Sequence, residues 1–353
     1  DHKMRKKILV IIPSFRLLSP VKVAISIANG LAELGNDVYI YAINSKNMDN
    51  VIISNKVTLL RKPALISKYD IVHSHCFQSN VFSSILYLFF RKYVKFVTTV
   101  HTNIEIDLKD KYPKLNFILS FIWKWAIKNN HIIFCLNNDS LSKFKAYNEV
   151  KLIPNAICNL VNTSSNNEVQ ISIELQNFFN DDGKIILGMA CVVREVKGLD
   201  RVAKLLKHNR NFKLLLLGDG PYMLQFKKLI AQLDVVEQVY CNGFTENPLS
   251  LLKFVDVAVF PSYSEGFPLA LVEAMSVGLP CVTSNISSFT TFLNDEVVIT
   301  DVDNLADFSH AIERVFRKKN YYSQVSLDTY NKLFTIEAIS KKYDEVMNDI
   351  FKR

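Results

Sequence analysis

Short apolar runs rich in Val, Ile and Leu alternate along the chain with longer segments whose apolar residues recur every three or four positions. A strand covered by helices on both faces has no polar side, so this alternation predicts a mostly parallel sheet flanked by helices. In the first half, strands are predicted at residues 7–13, 37–43, 70–73, 96–100, 131–136 and 151–153. Residues 20–34, stopped by Gly35, predict a helix. A polar interval at 155–182 contains NTSSNNE and a short helical stretch at 172–179. Beyond it, strands are predicted at 184–190, 212–217, 239–242, 257–260, 280–283 and 297–299. Residues 335–351 predict a last helix, with Thr335 as N-cap and Ile339, Tyr343, Val346 and Ile350 on one face.

Two such sets predict an α/β protein of two Rossmann-like domains, with a site where the carboxyl ends of both sheets face each other across a cleft. At 353 residues the chain can build two cores, and 49% hydrophobic with 22% charged residues excludes a disordered chain. Cys76, Cys135, Cys158, Cys191, Cys241 and Cys281 are widely spaced, with no CxxC pair. They read as reduced thiols of a cytosolic protein. Asp1-His2-Lys3 precedes Met4 with no apolar h-region behind it, so no secretion signal is expected. No apolar run is long enough to cross a bilayer. The formal charge of +8 is uneven: residues 1–155 hold 22 Lys and Arg against 10 Asp and Glu, and the rest hold 20 against 24. The basicity belongs to the first half.

Candidate chemistry concentrates in the second half. Residues 260–285 read FPSYSEGFPLALVEAMSVGLPCVTSN, a buried strand, a turn and a helix with Pro268 in its first turn. Glu265 lies just before that helix and Glu273 about one and a half turns into it. The helix start leaves backbone N–H groups at Phe267, Leu269 and Ala270 for an anion. A carboxylate beside an anion site needs another partner, and sugar hydroxyls supply one. Taken alone, the two charges also fit a helix-terminus carboxylate and a solvated residue, worth about 0.3–1 kcal/mol. Upstream, VVREVKGLDRV places Arg194, Lys197 and Gly198 after a strand, where two cations can neutralise a departing diphosphate. Gly218-Asp219-Gly220-Pro221 ends another strand, in a turn that either lets backbone approach a ligand or reverses the chain.

R-x-x-K-G, LLLLGDGP, YCNGF and EGFPLALVEAMSVGLPCV, in this order, resemble the nucleotide-binding domain of retaining glycosyltransferases of family four, which have the GT-B fold. YDIVHSH, KFVTTVHT and KLIPNAI extend the resemblance over the first half. It implies a first domain at 1–158, a linker region at 159–182, a nucleotide-sugar domain at 183–330, and a helix at 331–353 that crosses back onto the first domain. It implies that Arg194 and Lys197 meet the donor diphosphate, Glu273 the ribose, Glu265 the donor sugar, and Cys241 and Asn242 the base. Gly218 and the turn Gly266, Phe267, Pro268, Leu269 and Ala270 would complete the donor site. His101 matches a histidine that reaches the transferred sugar, and His75 lies nearby in sequence.

Two departures stand out. Many relatives carry the arginine at the position of Val192, and the loop SFRLLSPVK lacks a Gly-Gly pair, so Ser19 and Lys22, with Arg16, would serve the donor phosphate there. No metal and no cofactor beyond a nucleotide-sugar co-substrate, UDP-linked, is expected.

The expected reaction is transfer with retention to a glycan acceptor, lipid-linked, in surface-polysaccharide or glycolipid synthesis. Segments 82–96 and 114–128 mix aromatics, Leu, Ile and lysines as an interfacial surface does, pointing to an anionic membrane on the cytoplasmic side of the inner membrane. They also fit ordinary core helices with solvated lysines. A nucleotide-sugar epimerase of the same fold and a non-catalytic nucleotide-sugar binder are the alternatives. Nucleic acid is not expected, because no aromatic-basic module accompanies the high pI.

Overall fold

The computed structural model describes residues 5–16, 19–48, 52–63, 65–101, 108, 113–156, 171–180, 183–294 and 296–352. The NTSSNNE stretch, Cys158 and the first four residues lie outside this set. The chain divides into two compact units, one of Asp1–Ser165 with Leu333–Arg353 and one of Asn166–Lys332.

The first unit is built on β1 (Lys7–Phe15), β2 (Asp37–Met48), β3 (Val57–Leu60), β4 (Ile71–His75), β5 (Lys95–Val100), β6 (Ile132–Cys135) and β7 (Glu149–Leu152). They form one parallel sheet in the order β3-β2-β1-β4-β5-β6-β7. In β1 the residues Ile8, Val10 and Ile12 join one core and Leu9 and Ile11 another, as the period of two requires when both faces are covered. β3 is absent from the sequence expectation. It is an edge strand of only four residues, VTLL, in which Val57 alone is buried, so its apolar run is too short to stand out.

The second unit repeats the plan with β8 (Ile185–Ala190), β9 (Phe212–Leu217), β10 (Val239–Gly243), β11 (Val257–Phe260), β12 (Cys281–Ser284) and β13 (Val298–Thr300), ordered β10-β9-β8-β11-β12-β13. In each sheet the strand order reverses direction once, between β1 and β4 and between β8 and β11. At such a point neighbouring loops diverge, and a crevice opens outside the carboxyl ends of the strands.

The helix Ile336–Lys352 belongs to the first unit, with the Thr335 hydroxyl accepting from the Ala338 N–H. Ile339, Tyr343, Met347 and Ile350 are buried in the first unit's core, while Val346 only borders it. The true stripe follows a 4-4-3 spacing, which keeps Met347 inward in place of Val346. Close approach to the helix Ser19–Glu33 requires Gly30, where a Cβ would lie 1.9 Å from Ser340 Oγ.

The helix is locked by a buried ion pair, Lys6 Nζ to Asp344 Oδ1 at 2.9 Å, with Asn36 Nδ2 donating to the same oxygen at 2.8 Å and Lys6 Nζ donating to Asn348. Lys6 is fully buried and Asp344 nearly so. Removing one partner of such a pair costs about 3–5 kcal/mol, because the other charge stays buried without its counterion.

Candidate active site

The switch point of the second unit is flanked by the loops that follow β8 and β11, and these hold the candidate residues. After β8 the chain makes a short turn at Glu195–Lys197 and enters the helix Leu199–His208 through Gly198, at φ +72°. A Cβ at Gly198 would stand 2.1 Å from the carbonyl oxygen of Pro261, so glycine is what lets the two loops touch. Tyr263 N–H then donates to Val196 C=O at 2.8 Å. This contact brings together two residues 68 positions apart: Lys197 Nζ lies 2.6 Å from Glu265 Oε1. Ser262 Oγ donates to the same oxygen at 2.9 Å. Ser288 Oγ donates to the Glu265 carbonyl, and Ser284 Oγ to that of Ser262 at 2.7 Å. The carboxylate is held on one oxygen, in a partly buried setting.

Arg201 fixes the same loop and was not anticipated. It pairs in fork geometry with Asp303 through Nε at 2.7 Å and Nη2 at 2.6 Å, and Nη1 donates to Pro261 C=O at 2.8 Å. Its guanidinium lies 3.5 Å from the centre of the Tyr263 ring, whose hydroxyl donates to Asp200 at 3.0 Å. In sequence Arg201 reads as a surface helix charge, since both partners are remote.

The Gly218–Gly220 turn is a brace. A Cβ at Gly218 would meet the Cys191 carbonyl at 1.9 Å, and one at Gly220 the Val193 carbonyl at 2.4 Å. Val193 N–H donates to Asp219 C=O at 3.0 Å, so this turn sets the loop that carries Arg194 and Lys197. Gly218 N–H also donates to Gly243 C=O at 2.8 Å, bringing the end of β10, with partly buried Cys241 and Asn242, alongside.

Arg194 is exposed beside Lys197, and Glu273 is partly buried in the second turn of the helix Leu269–Ser276. The start of that helix corrects one expectation: Leu269 N–H is bound to Phe267 C=O at 3.0 Å, in a turn with Pro268 at φ −84° and ψ 70°. That donor is committed, leaving Ala270 as the first-turn N–H outside the turn. Buried thiols do not compete as nucleophiles, because burial pushes Cys191 up to about 11 and Cys135 up to about 12. Among the described residues no group of three His, Cys, Asp or Glu side chains is placed to hold a metal ion.

In the first unit, Ser19 is exposed and Lys22 partly buried at the start of the helix following β1. Leu17 and Leu18 of the preceding loop lie outside the described residues. At the ends of β4 and β5, His75 Nδ1 lies 2.9 Å from His101 Nε2. His73 Nε2 lies 2.8 Å from Thr99 Oγ1, and Thr99 Oγ1 lies 3.2 Å from the Tyr343 hydroxyl. Burial lowers all three imidazoles, His73 to about 3, His101 to about 4 and His75 well below its ordinary value, so they are neutral near pH 7.

Residues 171–332, spanning the strands and loops of the second unit, match the family described as glycosyl transferases group 1. The chain is a glycosyltransferase. This glycosyltransferase is 25% identical to the O-antigen biosynthesis glycosyltransferase WclY of Escherichia coli, over 98% of the chain and 99% of the relative. It is also 25% identical to the Escherichia coli UDP-Gal:alpha-D-GlcNAc-diphosphoundecaprenol alpha-1,3-galactosyltransferase, over 85% of the chain and 78% of the relative. A crystal structure of Anabaena HepE in complex with UDP and glucose covers 98% of the glycosyltransferase and 100% of HepE, with a TM-score of 0.70 at 14% identity. The fold is the GT-B type, with two parallel α/β units.

Proposed function

We propose that the glycosyltransferase moves a sugar, with retention of anomeric configuration, from a UDP-sugar to a lipid-linked glycan during cell-surface polysaccharide assembly. The Lys197–Glu265 pair carries this reading: a cation for the diphosphate is held 2.6 Å from a carboxylate suited to sugar hydroxyls, at the switch point. The names of the relatives support the rest, since one acts on UDP-Gal and a diphosphoundecaprenol-linked sugar and HepE was crystallised with UDP.

In the reaction, the bond from the anomeric carbon to the diphosphate oxygen breaks and a bond to the acceptor hydroxyl oxygen forms on the same face. The acceptor's proton passes to the departing phosphate oxygen, so no protein base is required. Arg194 and Lys197 stabilise the charge on the leaving group, with the Ala270 N–H at the helix start. In this reading they do so without a metal ion. Glu273 accepts from the ribose hydroxyls, Glu265 through Oε2 from those of the transferred sugar, and the Cys241–Asn242 backbone meets the base. Gly266, Phe267, Pro268 and Leu269 shape that wall, with Gly218 beside it. His101 contacts the transferred sugar, and Ser19 and Lys22 serve the donor phosphate. A panel of nucleotide sugars tested for binding and slow hydrolysis checks the reading. UDP-sugars are expected to bind, and Glu273→Ala to weaken them about tenfold, the loss of one charge-assisted pair of hydrogen bonds. Transfer to an acceptor, rather than conversion of the donor alone, separates the enzyme from an epimerase, and any turnover separates it from a mere binder.

The reading also places the enzyme peripherally on the cytoplasmic face of the inner membrane. The helices Phe77–Phe90 and Asn116–Lys128 expose Ile85, Leu88, Phe89, Phe117, Ile118 and Phe121, with Tyr93 between them in sequence. Phe117 is 85% exposed and Phe89 73%, which a helix seated in a core does not tolerate. Arg91, Lys92, Lys114 and Lys128 frame them in sequence, as an anionic interface demands. No helix among the described residues is long and apolar enough to cross a membrane. Reversing Arg91, Lys92 and Lys95 to Glu is expected to abolish co-sedimentation with phosphatidylglycerol vesicles. Unchanged sedimentation would remove the membrane from the proposal.

A further inference from the structure

At the switch point of the first unit, β4 presents His73 and His75 two residues apart, hence on one face. The register sets Thr99 level with His75, and His101 follows just past the end of β5. The rings are packed in a row: His73 and His75 centres lie 4.1 Å apart, His75 and His101 centres 5.2 Å. His73 and His75 are fully buried.

Tyr343 O–H, Thr99 O–H and His73 Nε2 form a hydrogen-bonded chain that can run in either direction, and His73 Nδ1 has no partner among the described residues. The His75–His101 pair is more constrained. Both rings are neutral, so one N–H lies in the bond between them and the other on an outer nitrogen, either His75 Nε2 or His101 Nδ1. Both outer nitrogens are buried with no partner among the described residues. Orphaned ring nitrogens are costly to bury, and they persist where a group from outside the protein completes them.

Two more facts bear on His75. The next residue, Cys76, sits at φ 70° and ψ 165°, a backbone region left almost entirely to glycine. That strain lies in the loop at the switch point, where ligands of such sheets bind. The Tyr343–Thr99–His73 chain also fixes the ring against which His75 stacks.

We propose that His75 is a positioning residue for His101: their 2.9 Å hydrogen bond holds the His101 imidazole so that its Nδ1 meets a hydroxyl group of the sugar being transferred. The inference rests on the reading of the chain as acting on a nucleotide sugar. A hydroxyl both donates and accepts, so it completes Nδ1 in either tautomer of the pair, whereas a diphosphate would call for a cation that these rings do not provide.

The test uses the full chain, with UDP-glucose and UDP-galactose as probes, followed by donor turnover and by the imidazole 15N resonances of histidine-labelled protein. His75→Phe removes the bond, His75→Asn keeps a polar amide where Nδ1 stands, and His75→Gln places it where Nε2 stands. Before any donor is added, the His101 resonances are expected to change in His75→Phe and His75→Gln but not in His75→Asn. With the donor that turns over, kcat is expected to fall about ten- to a hundredfold in the Phe and Gln variants and to recover in Asn, with donor KM within about twofold throughout. Unaltered His101 resonances in His75→Phe, or equal kcat in the Asn and Gln variants, would overturn the proposal. If His75→Phe does not fold, the Asn and Gln pair decides. If neither UDP-sugar binds, the glycosyl-transfer reading fails with these donors, while the donor-free resonances still decide whether His75 holds His101.

Discussion

Lys197→Met is expected to lower kcat for sugar transfer about 10²–10³-fold, the usual effect of removing one preorganised charge from a developing anion. Glu265→Gln should cost a similar factor. The two losses are not expected to multiply. Lys197 and Glu265 share a 2.6 Å contact with side chains 23% and 14% exposed, so each single change strands the other's charge in a half-buried place. The double variant should therefore be little worse than the poorer single variant, which steady-state kinetics of all three proteins would reveal. A double variant showing the full product of the two losses would mean that the residues act separately.

Acid should unfold the first unit well before it protonates the general run of its carboxylates. His73, His75 and His101 are held below the ordinary histidine value of 6.5, the first to about 3 and the last to about 4, chiefly by burial. The neutral rings belong to the folded state, and the unfolded chain takes up protons once the pH drops below about 6.5. Stability is therefore fully present above that pH and is lost as the pH falls from there towards 4. Each ring contributes at most about 1.4 kcal/mol per pH unit, so three together approach 4 kcal/mol per unit, a large share of the usual 5–15 kcal/mol. The protein's two tryptophans, Trp123 and Trp125, both lie in the first unit, so their fluorescence reports on it alone. The urea midpoint read this way should fall steeply between pH 6.5 and 5. An unchanged midpoint would show that these rings are not buried as neutral groups.

Twelve of the thirteen described strands were legible in the sequence, most of them as apolar runs buried on both faces and the edge strands β7 and β10 by their place in the alternation. β3 was not, since an edge strand with one buried residue leaves no such mark. The candidate residues were legible as types at strand ends, yet their partnerships were not. Nothing near Lys197 says that it meets Glu265, because the meeting depends on the missing Cβ of Gly198 beside the Pro261 carbonyl. Arg201 was invisible for the same reason, its partners Asp303, Pro261 and Tyr263 being brought to it by the sheet. For His75 a signal existed: His-x-His on a strand places both rings on one face. The helix N–H at Leu269 was misjudged because the pattern of a helix start does not reveal a turn at Pro268 that consumes the donor.

The buried lock between Lys6 and the last helix has a consequence for how the protein is made. Lys6 and Asn348 are 342 positions apart, and the helix that carries Asn348 also fills the groove above Gly30. At roughly 5–20 residues per second, the ribosome takes on the order of 20–70 s to supply the missing piece after the first strand has emerged. Throughout that interval the opening sheet waits with an uncompensated lysine and an open apolar seam, while the second unit has time to fold. The unit whose first strand is made before the second unit is thus the one completed after it.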